Sequence, residues 1–192
     1  MTLVLLDTNA YLRLAKRIKP LLGKPFGQKG YVLTILKDTE SEVQRNGRLR
    51  HNFPWFQDPD LANERLAKSL RFKDDEKATL ASAVSVLRGW VQAHVSDFAI
   101  KGRSPPSVTD CRLLAICQIR SAIVATDDLG MHRLAETFEI DIWHGHELLK
   151  KMLSAKMIKP DQVREIYLAL EANGDLPLSW EHARRTSFKK VF

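Results

Sequence analysis

Short, continuous apolar runs recur along this chain, each followed by a longer stretch of helical spacing, and that alternation constrains the fold more than any other feature. Residues 3–6 read Leu-Val-Leu-Leu and stop at Asp7. Such runs suit parallel strands covered on both faces. Ala10, Leu12, Leu14 and Ala15 then suggest a helix that ends before residues 23–25. Residues 31–36, rich in β-branched and apolar side chains, form a second predicted strand. A polar helix over 38–45 follows, ended by Asn46-Gly47. Residues 122–125 and 140–143 supply a third and a fourth strand, with a helix over 129–138 between them. Strands alternating with helices predict an α/β layered domain whose sheet is mainly parallel and flanked by helices.

The segments around this frame are mostly helical in pattern. Residues 51–60 carry Phe53, Pro54, Trp55, Phe56 and Pro59 and read as an ordered loop, since so many aromatics need packing. Helices are predicted over 61–70 and from Asp74-Asp75-Glu76 onward, acids that favour a helix N-terminus. The latter places Leu80, Ala83, Val84, Leu87, Val91 and Val95 at a 3–4 spacing. Residues 102–106 form a break, and Ser107 opens the next helix. After Trp143 no further strand is predicted; helices over 147–152, 160–170 and 180–188 follow. The expected organisation is a domain over 1–145 and a helical C-terminal extension over 146–192, either packed on the domain or serving as a partner-binding arm.

Composition narrows the partners. The 192 residues carry a formal net charge of +7, which favours an anionic partner: nucleic acid first, an acidic protein or membrane surface second. The two cysteines, Cys111 and Cys117, lie six residues apart on one predicted helix, a poor geometry for a disulfide. They form no C-x-x-C motif and read as small buried residues in a reducing compartment. The N-terminal apolar run lacks the basic start and cleavage site of a signal peptide. No apolar stretch approaches the roughly 20 residues needed to span a bilayer, and the expected location is cytoplasmic.

Four carboxylates stand where such a fold brings side chains together. Asp7 follows the first strand, Glu42 lies in the helix after the second, and Asp128 follows the third. In open parallel sheets, sites form beyond the carboxyl ends of the strands. Asp110 sits in the first turn of the helix opened by Ser107, and that turn reaches the same edge if the helix leads directly into the third strand. Each acid also has an ordinary reading. Asp7, Asp127 and Asp128 could cap helices, Ser107 and Asp110 could form a capping box, and Glu42 could be an exposed helix acid. Four carboxylates in one pocket repel, so some would hold protons without a cation. An oxygen-rich site of that kind suits Mg²⁺ or Mn²⁺.

The ordered set of motifs resembles that of PIN-domain nucleases. Val4-Leu5-Leu6-Asp7-Thr8-Asn9 is similar to their opening strand and acid, and Glu42-Val43 to their Glu-Leu pair. Ser107-Val108-Thr109-Asp110, followed by Leu113-Leu114-Ala115, resembles their third motif; Thr126-Asp127-Asp128 resembles their Thr-x-Asp. The match covers about residues 1–143. The resemblance implies a PIN-like fold and a divalent-metal-dependent endoribonuclease. Its catalytic acids would be Asp7, Glu42, Asp110 and Asp128. Asp7, Asp110 and Asp128 would be the main metal ligands, supported by Asn9 and Thr126. It also implies products with a 5′-phosphate. Similarity to the PIN toxins of bacterial toxin–antitoxin pairs implies an RNA substrate, a small antitoxin protein as partner and a possible homodimer. A housekeeping RNA-processing nuclease and a non-catalytic PIN-like binding module are the alternatives. Glu40 and Asp127 are competitors for Glu42 and Asp128; Val43 and Thr126 fix the preferred register. The insertion over about 47–106 and the tail have no counterpart in the minimal domain.

Basic residues supply the expected substrate surface: Arg45, Arg48 and Arg50 after Glu42, and Arg184, Arg185, Lys189 and Lys190 near the C-terminus. Trp55 and Phe56 suit base stacking or packing. Other chemistries fit less well. His144-Gly145-His146 lacks a third zinc ligand at a recognisable spacing. Position 9 is Asn where an aspartyl phosphatase has its second Asp, and no G-x-x-x-x-G-K phosphate loop occurs.

Overall fold

In the computed structural model, which describes residues 1–99 and 104–192, strand β1 (Thr2–Leu6) is the centre of a five-stranded sheet of order β2-β3-β1-β4-β5. β3 (Tyr31–Thr34) pairs with it in parallel on one side and β4 (Ile123–Ala125) on the other. β5 (Ile142–Trp143) extends the sheet in parallel beyond β4. The α/β class with a mainly parallel sheet flanked by helices is the one the alternation predicts. β2 (Pro25–Phe26) was not expected; it is a two-residue antiparallel edge strand on β3. Two residues carry no alternation to read, and proline is tolerated at such an edge.

Side-chain alternation along β1 divides the interior into two cores. Val4 and Leu6 face one with Leu33, Ile35, Ile123 and Ala125; Leu5 faces the other with Leu36 and Val124. The second core is closed by α5 (Asp74–Ala93), α7 (Val108–Arg120) and α8 (Leu129–Thr137). Both cysteines are buried there. Burial pushes the Cys111 thiol up to about 11 and raises that of Cys117 further, so neither is a reactive thiolate near neutral pH.

The first core is closed by α1 (Thr8–Leu14) and by the C-terminal helices α9 (Gly145–Ser154), α10 (Pro160–Ala172) and α11 (Leu178–Thr186). Leu148, Met152, Tyr167, Trp180 and Phe188 belong to the same apolar cluster as Val4, Leu6 and Tyr11. Of the two alternatives for the extension, it is the packed one: the core runs unbroken across residues 145 and 146. Leu170 and Trp180 are buried, whereas Leu168 and Leu178 remain exposed.

Between the cores' edges, α2 (Asp38–Arg45) has the expected bounds. Asn46 ends it but also begins α3 (Gly47–Asn52), because its side chain accepts the Leu49 N–H at 3.1 Å. Asn-Gly reads as a stop in sequence, and the capping capacity of Asn turns the stop into a new start. The aromatic segment forms a 3₁₀ turn over Pro54–Gln57 that buries Phe56. Helix α4 (Pro59–Lys68) follows, then α6 (Val95–Phe98) after α5. Of the expected break at 102–106, residues 102 and 103 lie outside the described residues. Among the described residues no helix is long and apolar enough to cross a membrane.

Candidate active site

The chain leaves β1 at its carboxyl end, goes to β3 on one side, and returns across β1 to β4 on the other. That reversal opens a crevice at the carboxyl edge of the sheet, and Asp7 is the first residue beyond β1. Asp7 caps α1: Oδ1 accepts the Ala10 N–H at 2.5 Å. Its Oδ2 accepts the hydroxyl of Thr126, the first residue after β4. The Thr126 hydroxyl also accepts the Asp128 N–H at 3.1 Å. Asp128 caps α8, taking the Met131 N–H at 2.8 Å. One buried hydroxyl thus joins the Asp7 carboxylate to the backbone of Asp128. Burial pushes the Asp7 carboxyl up to about 7, against the opposing effects of the Thr126 and Ala10 donors and the Arg13 charge.

Asp7, exposed Asn9, Asp127 and Asp128 line one cleft of about 310 Å³. Glu42 approaches from α2, where Oε2 accepts the Thr8 hydroxyl at 2.5 Å, one residue from Asp7. Its rival Glu40 turns the other way. It accepts Nε of Arg65 at 2.5 Å, and that fully buried guanidinium also donates to Tyr11 Oη and the Phe56 carbonyl. Glu40 is therefore occupied in packing, while Glu42 lines an exposed hollow with Arg45 and Thr109.

Asp110 is brought to the same edge of the molecule, though not into the cleft. Arg112 of α7 pairs with Asp38 of α2 at 2.8 Å, and a Cβ added at Gly130 would meet Pro106 at 3.3 Å and Asp128 Oδ1 at 3.0 Å. The Asp110 carboxylate itself folds back on its own helix and accepts the Ser107 N–H at 2.7 Å. The capping-box reading is realised. Among the described residues no three His, Cys, Asp or Glu side chains converge closely enough to cage a metal ion. His132, His144 and His146 stack at ring-centroid distances of 3.8 and 5.3 Å, and stacked rings aim their nitrogens along parallel planes instead of at one point.

Sequence reasoning missed the role of Asp127. Its side chain is only 5% exposed. Oδ2 accepts Arg13 Nη1 at 2.7 Å and the Trp180 indole N–H at 2.9 Å, and Oδ1 accepts the Gly145 N–H at 3.0 Å. Burial pushes this carboxyl up, but the neighbouring His144, the Arg13 charge and the Trp180 and Gly145 donors together hold it below its ordinary value. Asp127 therefore clasps β4 to α1, α9 and α11. Gly145 carries the one sequence signal: an added Cβ would stand 2.7 Å from the Trp180 ring and 2.8 Å from Asp127 Oδ2.

The clasp also brings the C-terminal extension to the acids. Arg13 reaches Asp175 through Nε at 3.0 Å and Nη2 at 2.8 Å, and residues 174–177 form a wall of the acidic cleft. The basic tail is partly committed elsewhere. Arg184 pairs with Glu171 and lies 4.3 Å over the Phe192 ring, whereas Arg185, Lys189 and Lys190 are exposed. Trp55 is half-buried and Phe56 lies in the core, which leaves Phe56 unable to stack on a base.

No protein-family model and no curated protein matches this sequence. Among solved structures, a chain in the crystal structure of FitAcB from Neisseria gonorrhoeae is similar at 16% identity and a TM-score of 0.44, over 74% of this chain and 97% of that one.

Proposed function

We propose that this protein is a divalent-metal-dependent endoribonuclease of the PIN type, with Asp7 at the centre of its active site. The observation that carries the reading is the pairing of Asp7 and Asp128 in one cleft at the sheet's carboxyl edge, linked through the Thr126 hydroxyl. The donor set is all oxygen and fits Mg²⁺ or Mn²⁺. Mg²⁺ commonly takes one or two protein carboxylates and completes its shell with water and phosphate oxygens, so a closed protein cage is not required. Burial disfavours the charged form of Asp7, and a cation in the cleft would favour it again. Asp7 and Asp128 would hold the ion, with Asp110 acting through water. When bound, the ion neutralises charge on the attacked phosphate and acidifies a water.

The chain's own groups supply the rest. The Thr126 hydroxyl fixes the Asp7 carboxylate and the backbone of Asp128, and the Met131 N–H fixes the Asp128 carboxylate. Glu42, held by Thr8, presents an exposed carboxylate that would orient the attacking water. Asn9 offers an exposed amide to a phosphate oxygen. Arg45 and Arg48 are exposed near Glu42 in the chain and would take the RNA backbone, as would the exposed Arg185. In biological context the reading extends to the toxin of a toxin–antitoxin pair, held inactive by a small antitoxin, and to a homodimer.

A second reading, a non-catalytic RNA-binding module, draws on the Asp110 carboxylate being folded back on Ser107. One experiment separates the two. Purified protein is incubated with a mixed RNA pool in Mg²⁺ or Mn²⁺ and in chelator, beside Asp7→Asn and Asp128→Asn. The nuclease reading expects ion-dependent cleavage that both variants lose. Cleavage at wild-type rate by both variants would reject the assigned site, and RNA binding without cleavage would favour the module.

A further inference from the structure

A second hollow, of about 360 Å³, adjoins the acidic cleft and shares Arg13 and Asp175 with it. Its walls come from three parts of the chain: Lys16 and Arg17 in the turn after α1, Phe53 and Trp55 of the aromatic segment, and the end of α10. Its chemistry is the reverse of the cleft's. Lys16 and Arg17 bring two positive charges, and among the described residues neither has a carboxylate within 4.0 Å. Trp55 is half-buried in the wall and meets Phe53 edge to face at a centroid distance of 6.0 Å. Unpaired basic groups beside an aromatic ring are what an unpaired polynucleotide strand needs: the backbone takes the charge and a base takes the ring. A duplex keeps its bases stacked on one another and cannot offer one to a side chain in a small hollow.

We propose that this hollow is the path by which a single RNA strand enters the acidic cleft, with phosphates on Lys16 and Arg17 and a base against Trp55. The link to the cleft and the choice of RNA rest on the nuclease reading; the binding of a single strand does not. Arg13 stands at the junction. Asp127 holds Nη1, while Asp175 grips the remaining edge through Nε and Nη2, and the Asp175 side chain is 47% exposed. A phosphate grips a guanidinium in the same two-pronged way. The strand therefore competes with Asp175 for that edge, and Asp175 acts as an internal stand-in for phosphate.

The test is binding of a short, 2′-O-methylated, fluorescently labelled single strand in chelator, followed by anisotropy at two salt concentrations. Lys16→Ala with Arg17→Ala should weaken binding and flatten the salt slope by about 1.4, the loss of two phosphate contacts on a single strand. Trp55→Leu keeps an apolar side chain and should weaken binding roughly tenfold. Asp175→Asn should tighten it several-fold. Unchanged affinity and salt slope in the double variant would overturn the proposal, as would equal binding of a duplex of the same length. Equal binding of single-stranded DNA would overturn the assignment to RNA. Failure of the nuclease reading looks different: the strand binds as described, but an unmodified strand is not cut in Mg²⁺. Cutting with all three variants binding like wild type would reject this path alone.

Discussion

Asp7 is held by two donors and yet remains a weak acid, because removing its charge from water costs more than the donors return. Its folded-state value of about 7 lies above its ordinary 3.8. A carboxyl raised in this way contributes stability that is full below the unfolded value and is lost as pH rises through the folded value. In chelator, the Asp7 contribution should therefore decline between about pH 4 and pH 7, by at most on the order of 4 kcal/mol. Asp7→Asn should exceed wild type in stability near pH 8, with the advantage shrinking toward pH 4, as read by urea midpoints across pH. A pH-independent difference would contradict the buried carboxyl. Ion binding should reverse the order. Mn²⁺ should raise the wild-type melting temperature and leave Asp128→Asn unmoved; equal shifts would place the ions elsewhere. The positions of these acids were legible in sequence because each follows a strand or opens a helix. What Asp110 does there was not, since the same Ser-x-x-Asp spacing serves a cap and a ligand alike. Arg65 carried no signal at all: buried arginines are rare, and nothing in its polar helix sets it apart.

At the scale of elements, the strands were legible where the pattern was long enough to use. β1 is buried on both faces and reads as an apolar run; β2, two residues long, has no pattern. The junction of β5, α9 and α11 was hidden for another reason. Its determinants lie at 127, 145 and 180, and no local window contains them. Gly145 is the sensitive point, because Trp180 and Asp127 both close on the space a Cβ would fill. The ring and the carboxylate, 2.7 and 2.8 Å from that Cβ, are themselves packed and hydrogen-bonded. Gly145→Ala should push the indole off Asp127 and cost about 1–3 kcal/mol, the usual range for overpacking. Chemical denaturation reads this directly, and a midpoint equal to wild type would mean that the clasp is looser than described. The helix propensity gained by replacing glycine reaches about 1 kcal/mol only in a helix interior; Gly145 is the first residue of α9, so the gain there is smaller and the net effect is a loss.

At the scale of the whole molecule, the C-terminal helices decide whether the sheet has one covered face or two. Their helical character was legible from residue 147 onward, but an amphipathic helix shows the same pattern whether its apolar face meets its own chain or a partner. The structure places that face on the sheet: Trp180 is fully buried, Phe188 is 1% exposed and Val191 is 8% exposed, all in the cluster that holds Val4 and Leu6. Truncation after Gly174 removes these three together with Ala183, and it removes Asp175 and the Trp180 donor, which leaves Arg13 and Asp127 with fewer partners. Losing one large buried aromatic commonly costs about 3–5 kcal/mol, and a domain's whole stability is about 5–15 kcal/mol. Two such losses, with a charged clasp opened beside them, consume most of that margin. The truncated chain should be unfolded or aggregation-prone at 25 °C, roughly the temperature to which these magnitudes apply, with flattened near-ultraviolet dichroism and no cooperative melting. A truncated protein that melts cooperatively would show that the first core is complete without α11. Full-length Arg185→Ala/Lys189→Ala/Lys190→Ala supplies the contrast. These side chains are exposed, so the triple variant should melt like wild type while losing RNA affinity at low salt. If it melted early instead, the basic face would be part of the packing and not of the substrate surface.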